Sequence, residues 1–123
     1  MRKFASHRLY IPHLDLLLRN HTVEIDDTGQ VVRYYPFEGE TCFTEWLNGL
    51  IVLSCDSPEI SFDSRHDSVA SSTVLFVDEN KNIRSILSEN SDNSLLTLNA
   101  YYVTMFNVSD MSFSKESRIV RLG

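Results

Sequence analysis

The chain has 123 residues, a formal net charge of −6, 42% hydrophobic and 23% charged residues, which is room for one soluble globular domain with a single core. Basic residues gather only at Arg2-Lys3 and at Arg118/Arg121. Nucleic acid and anionic membrane, which need clustered cations, are therefore not expected partners. No stretch approaches the ~18 apolar residues of a membrane span, and His7, Arg8, His13 and Asp15 interrupt what a signal peptide would need. Cys42 and Cys55 form no C-x-x-C pair, so the expectation is a cytoplasmic protein with reduced thiols.

In chain order the pattern predicts short strands separated by turns. Phe4 to Ile11 reads as a strand with Ala5, His7, Leu9 and Ile11 on one face and Phe4, Ser6, Arg8 and Tyr10 on the other. Pro12 ends it. Leu14 to Leu18 is an apolar run too short for a helix. Thr22 to Asp26 alternates with Val23 and Ile25 inward, and Asp26-Asp27-Thr28-Gly29 is a tight turn into Gln30 to Tyr35. Cys42 to Leu47 reads as a further strand, and Leu50 to Leu53, continuous and apolar after Gly49, as a strand buried on both faces.

Residues 54–72 form a polar linker or insertion rich in Ser and Asp, with a short strand near Glu59 to Phe62. Thr73 to Val77 and Ile83 to Leu87 flank a turn at Asp78 to Asn82. Leu95 to Val108 reads as two strands broken near Asn99-Ala100 or by a bulge. Ser114 to Glu116 looks like one helical turn, and Arg118 to Leu122 like a last strand. The predicted fold is a single mainly β, sandwich-like domain over residues 1–123.

Several of these segments resemble, in order and position, the ends of amidohydrolase-superfamily enzymes. Met1 to Ile11, the hairpin around Glu24-Ile25-Asp26-Asp27-Thr28-Gly29, and Glu45 to Leu53 are similar to the superfamily's N-terminal segment. Asn93 to Leu122, finishing Ser117-Arg118-Ile119-Val120-Arg121-Leu122, is similar to its closing segment. In those enzymes the two segments fold together as a small β-sandwich, the composite domain, with a metal-binding barrel between them. The resemblance implies a composite-like β-sandwich here. It also implies a His-x-His pair after Leu50-Ile51-Val52-Leu53, but the continuation is Ser54-Cys55-Asp56-Ser57-Pro58. A barrel of roughly 200 residues or more has no room in the remaining chain.

Local candidates for chemistry are few. His66, with Asp63 and Asp67 beside it and Asp56 and Glu59 upstream, is the best ligand cluster for a metal. Arg65 and the surrounding serines favour a solvated loop instead. His7 and His21 form a joint site only if their strands pair. Cys42 and Cys55 are nucleophiles only with a base and a depressed pKa, and buried inert thiols are the commoner outcome. Tyr34, Tyr35, Phe37, Phe43 and Trp46 fit a groove as well as they fit a core, as do Tyr101, Tyr102 and Phe106.

The expectation is a non-catalytic, stand-alone relative of the composite domain that takes no cofactor. Its former barrel-facing surface would be covered by the inserted segment, by a second copy or by another protein, and a homodimer or partner complex is expected, with Leu14, Leu17, Trp46 and Leu50 as candidate contacts. The alternatives are a small-molecule- or metal-binding module or enzyme with a new pocket, or a subunit completing a separately encoded barrel.

Overall fold

The structure is a computed structural model that describes residues 2–38, 44–61, 73–86 and 97–122. Its strands are β1 (Arg2–Ile11), β2 (Leu16–Ile25), β3 (Val31–Pro36), β4 (Thr44–Ser54), β5 (Glu59–Ile60), β6 (Val74–Val77), β7 (Ile83–Ile86), β8 (Asn99–Val103) and β9 (Ile119–Arg121). They form a six-stranded sheet in the order β3-β2-β1-β4-β8-β9 and a three-stranded sheet in the order β5-β6-β7. The mainly β expectation holds, with two sheets. The metal candidates His66, Asp63 and Asp67 lie outside the described residues, as do Cys42, Phe43 and Leu95.

The turns explain where the strands start and stop. Pro12 has no N–H to donate, and Pro12–Leu14 closes instead as a 3-10 turn, with Asp15 N donating to Pro12 O at 3.0 Å. Asp15 adopts the left-handed conformation, φ 47°, and reverses the chain. The apolar run Leu14 to Leu18 thus divides between the turn and the start of β2, which pairs with β1 from Ile11↔Leu16 to Arg2↔Ile25. The second strand is longer than its alternating half, Thr22 to Asp26, foretold.

Two hairpins share one turn chemistry. Asp26 Oδ1 accepts from the amides of Thr28 and Gln30 at 2.9 and 3.0 Å, and Gly29 takes φ +88°. Asp78 Oδ1 accepts from the amides of Asn80 and Asn82, both at 2.9 Å, and Lys81 occupies the left-handed position at φ 63°. In both, the Asp amide donates to the carbonyl four residues on, at 2.9 Å.

The C-terminal third departs from expectation. Asn99 and Ala100 open β8, and the chain breaks after Val103, where Met105 is left-handed at φ 56°. Ser114 to Ser117 is a single turn closed by Ser117 N to Ser114 O at 3.0 Å that does not continue as a helix.

Two cores sit on opposite sides of β4. Ile51 and Leu53 join Phe4, Leu9, Ile11, Val23, Ile25 and Ala100, whereas Leu50 and Val52 join Tyr10, Leu75, Ile83, Val103 and Phe106. Leu50 to Leu53 is therefore buried on both faces, as the uninterrupted apolar run predicts. Each such side chain stabilises the fold by about 1.5–3 kcal/mol relative to exposure.

The first core needs no second layer, because the large sheet curls around it. Gln30 bridges Asn99, Val31 N donates to Leu98 O at 2.7 Å, and Arg121 Nη2 donates to Thr28 O at 3.2 Å. The β2–β3 turn thus meets the start of β8 and nearly closes the sheet on itself. The second core lies on the outer face, where β6 and β7 cover Tyr10, Leu50 and Val52.

The face assignment of β1 changes along its length. Phe4 and Leu9, on opposite faces of a regular strand, belong to the same core. The β1–β2 ladder skips His7 opposite Asn20, whose φ is 50°, and β4 carries an extra residue near Gly49, φ 114°, between its partners for Ser6 and Arg8. These irregularities lie side by side across three strands, where the sheet bends and the inward parity of β1 exchanges.

Candidate functional site

The outer face of the large sheet divides in two at that bend. Toward the β1 C-terminus it is covered by the small sheet, tied down by polar contacts. Tyr10 Oη donates to Asp15 Oδ1 at 2.8 Å and lies 3.1 Å from Ser85 Oγ. Arg84 reaches Asp15 Oδ2 at 2.6 Å and Asp78 Oδ2 at 3.3 Å. Tyr10, Asp15, Leu17, Asn82, Ile83 and Arg84 line an open groove of about 220 Å³. Its one carboxylate, Asp15, already engages Arg84, and burial pushes the Tyr10 hydroxyl well above its usual range. This groove is a clamp between sheets.

Toward the β1 N-terminus the outer face carries aromatic side chains. The registers place Trp46, Ala5, Thr22 and Tyr35 in one transverse row over β4, β1, β2 and β3. The two central positions are small and buried, so side chains from the flanking strands can lie over them. The Trp46 ring stands edge-on to His7, 4.8 Å between centroids, and 5.3 Å from Phe37. Trp46 stays 40% exposed, its Nε1 donating to Asn48 Oδ1 at 3.1 Å, while His7 Nδ1 is buried without a hydrogen-bond partner among the described residues.

The neighbouring row is ionic. Thr44, Lys3, Glu24 and Arg33 lie side by side, and the Glu24 carboxylate, 2% exposed, pairs with Arg33 and with Lys3 Nζ at 3.8 Å. The hydrogen bond from Arg33, followed by its charge and that of Lys3, holds the Glu24 carboxyl below its usual pKa against the opposing effect of burial. A lowered folded pKa means that this contribution is complete above the ordinary value of 4.5 and is lost as pH falls through the folded value. Urea midpoints from about pH 3 to 7 should fall more steeply on the acid side for the wild type than for Glu24→Gln. Parallel curves would remove Glu24 from the acid sensitivity.

The four contact candidates are not one patch. Leu14 is 53% exposed at the tip of the β1–β2 hairpin, and Leu17 is half-buried against the second core. Trp46 belongs to the aromatic face. Leu50 is 0% exposed, and that corrects its assignment as a contact. The bend at Gly49 turns it beneath the small sheet, so it holds the two sheets together.

Other candidates are also placed. His21 Nδ1 engages Arg19 O at 2.8 Å and pairs across the ladder with Ser6, whereas His7 packs on Trp46, so the two imidazoles do not converge. Cys55 is half-buried, and burial followed by the Asp56 carboxylate pushes its thiol up, which disfavours the nucleophilic thiolate. Among the described residues no three His, Cys, Asp or Glu side chains are grouped to hold a metal ion. Among the described residues, too, no helix is long and apolar enough to cross a membrane.

Sequence reasoning named Trp46 and Phe37 as an aromatic group but did not join His7 to them. The small pair Ala5 and Thr22 was the available signal. The facing of Arg8 and Arg19 across β1 and β2 was also missed. It becomes legible only when the hairpin is centred between Pro12 and Asp15. No family model, curated protein or solved structure matches this chain.

Proposed function

We propose that this chain is a non-catalytic β module, built like the composite domain of amidohydrolases, that associates with a second copy of itself through the Trp46 face. The topology supports the first part. β1 to β4 from the N-terminal half and β8 and β9 from the C-terminal end share one sheet, while the intervening chain supplies β5 to β7 as a separate sheet. That is the arrangement expected of two terminal segments joined across a shortened centre.

The second part rests on one observation. Trp46 remains exposed above the small floor of Ala5 and Thr22, with Phe37 and His7 against its ring. Trp, with Tyr and Arg, is enriched among the residues that carry most of the binding energy at protein interfaces. The neighbouring row on the same face, Lys3, Glu24 and Arg33, carries both signs of charge.

Sedimentation and native mass spectrometry over a concentration series test the reading. The wild type should dimerise, and Trp46→Ala should weaken the dimer by roughly 30-fold, the effect of losing about 2 kcal/mol at an anchor. A wild type that stays monomeric at about 100 μM would overturn self-association, since the affinity arithmetic then leaves less than about 5–6 kcal/mol of binding. Co-purification of that monomer with a barrel hydrolase would transfer the face to a subunit role.

A further inference from the structure

Arg8 on β1 and Arg19 on β2 are direct cross-strand partners. Their Cβ atoms are therefore held roughly 5 Å apart on one face, the spacing of any antiparallel pair. Like charges placed so closely oppose each other, and the repulsion from Arg19 adds to burial in lowering the Arg8 pKa. The chain has 17 acidic side chains against 11 Lys and Arg, yet among the described residues neither guanidinium has a carboxylate within ion-pair distance. Arg8, half-buried, donates from Nη1 to the His7 carbonyl at 3.0 Å, which anchors one of its five donors.

Access to the pair follows from the sheet. β3 pairs with β2 only from His21 to Ile25, so Arg19 lies on a part of β2 that no β3 residue flanks, and it is exposed. The backbone beneath is fixed: Ser6 Oγ donates to Arg8 O at 2.7 Å, and His21 Nδ1 engages Arg19 O at 2.8 Å. Two guanidinium forks on a rigid ladder, facing the same solvent, match an acceptor with several oxygens and more than one negative charge.

We propose that Arg8 and Arg19 form an oxyanion site for a phosphate group, in which one phosphate bridges the two forks and relieves their repulsion. The site differs from the Trp46 face in its residues and in its ligand. It needs no self-association. A single bridged phosphate is also consistent with a chain too acidic for a polyanion, because only one local pair of cations is required.

The test is an NMR titration of the full chain with inorganic phosphate, at constant ionic strength balanced by chloride. The Nε–Hε signals of Arg8 and Arg19 should move together and saturate, while those of Arg33 and Arg84, already paired, should not. Arg19→Gln should abolish the saturable shift. It should also raise the thermal midpoint by about 2 °C in chloride alone, because a like-charge pair is removed. Signals that do not move, move without saturation, or still saturate in Arg19→Gln would each overturn the site. The wild-type titration decides the matter even if that variant folds poorly.

Discussion

Leu50→Ala should lower folding stability by about 3 kcal/mol without altering the association surface. Leu50 is fully buried in the core with Tyr10, Val52, Leu75, Ile83, Val103 and Phe106. Truncation removes its transfer energy and leaves a cavity walled by side chains from both sheets. Tyr10 is fixed by Asp15 and Ser85, which limits how far the walls can collapse. Urea unfolding followed by tryptophan fluorescence and by far-ultraviolet circular dichroism measures the loss. A change below about 1 kcal/mol would mean that the site relaxes freely and that the small sheet is not packed as described. Trp46→Ala makes the opposite contrast. Its stability cost should be smaller than that of Leu50→Ala because Trp46 is partly exposed, while its effect on self-association should be larger.

The parts legible in sequence are those governed by local chemistry. Asp26 with Gly29 announces a turn because an Asp side chain can accept the following amides and Gly tolerates positive φ. Val23 and Ile25 alternate inward and are both buried. The β1–β2 hairpin is harder to see because its reversal uses Asp15 rather than Gly in the left-handed position, and nothing local distinguishes that Asp from others. The parallel pairing of β1 with β4 is set by contacts across some forty residues of chain, beyond the reach of any local pattern. The aromatic face depends on that pairing. Trp46 reaches His7 only because β4 lies beside β1 in this register. Leu50 was misassigned for a related reason, since a residue of a doubly buried strand looks the same in sequence as one on an exposed apolar face.

Gly49→Val should cost about 2–3 kcal/mol, and Gly49→Ala about 1–2 kcal/mol. Gly49 takes φ +114°, a conformation that a Cβ opposes whatever the surrounding space. Space itself is adequate: a Cβ there would meet Phe106 O at 3.6 Å, Phe106 Cβ at 3.7 Å and Val103 O at 3.8 Å, all ordinary contacts. The alanine cost is therefore almost wholly backbone strain. Valine adds the crowding of a branched side chain against the same loop. The position matters because β4 carries its extra residue here, between Leu47 opposite Ser6 and Leu50 opposite Arg8. Removing that irregularity would shift Leu50 to Leu53 by one residue and carry Leu50 and Val52 to the side of Ile51 and Leu53. The chain has no cheap alternative, since both faces of this segment are filled with matched side chains. Strain should thus persist in the folded variants rather than be relieved by slippage. Denaturation midpoints should rank wild type, then Gly49→Ala, then Gly49→Val, with unchanged m-values. A valine variant within about 0.5 kcal/mol of wild type would show that the bend accepts a side chain, and that the exchange of faces in β1 does not depend on glycine.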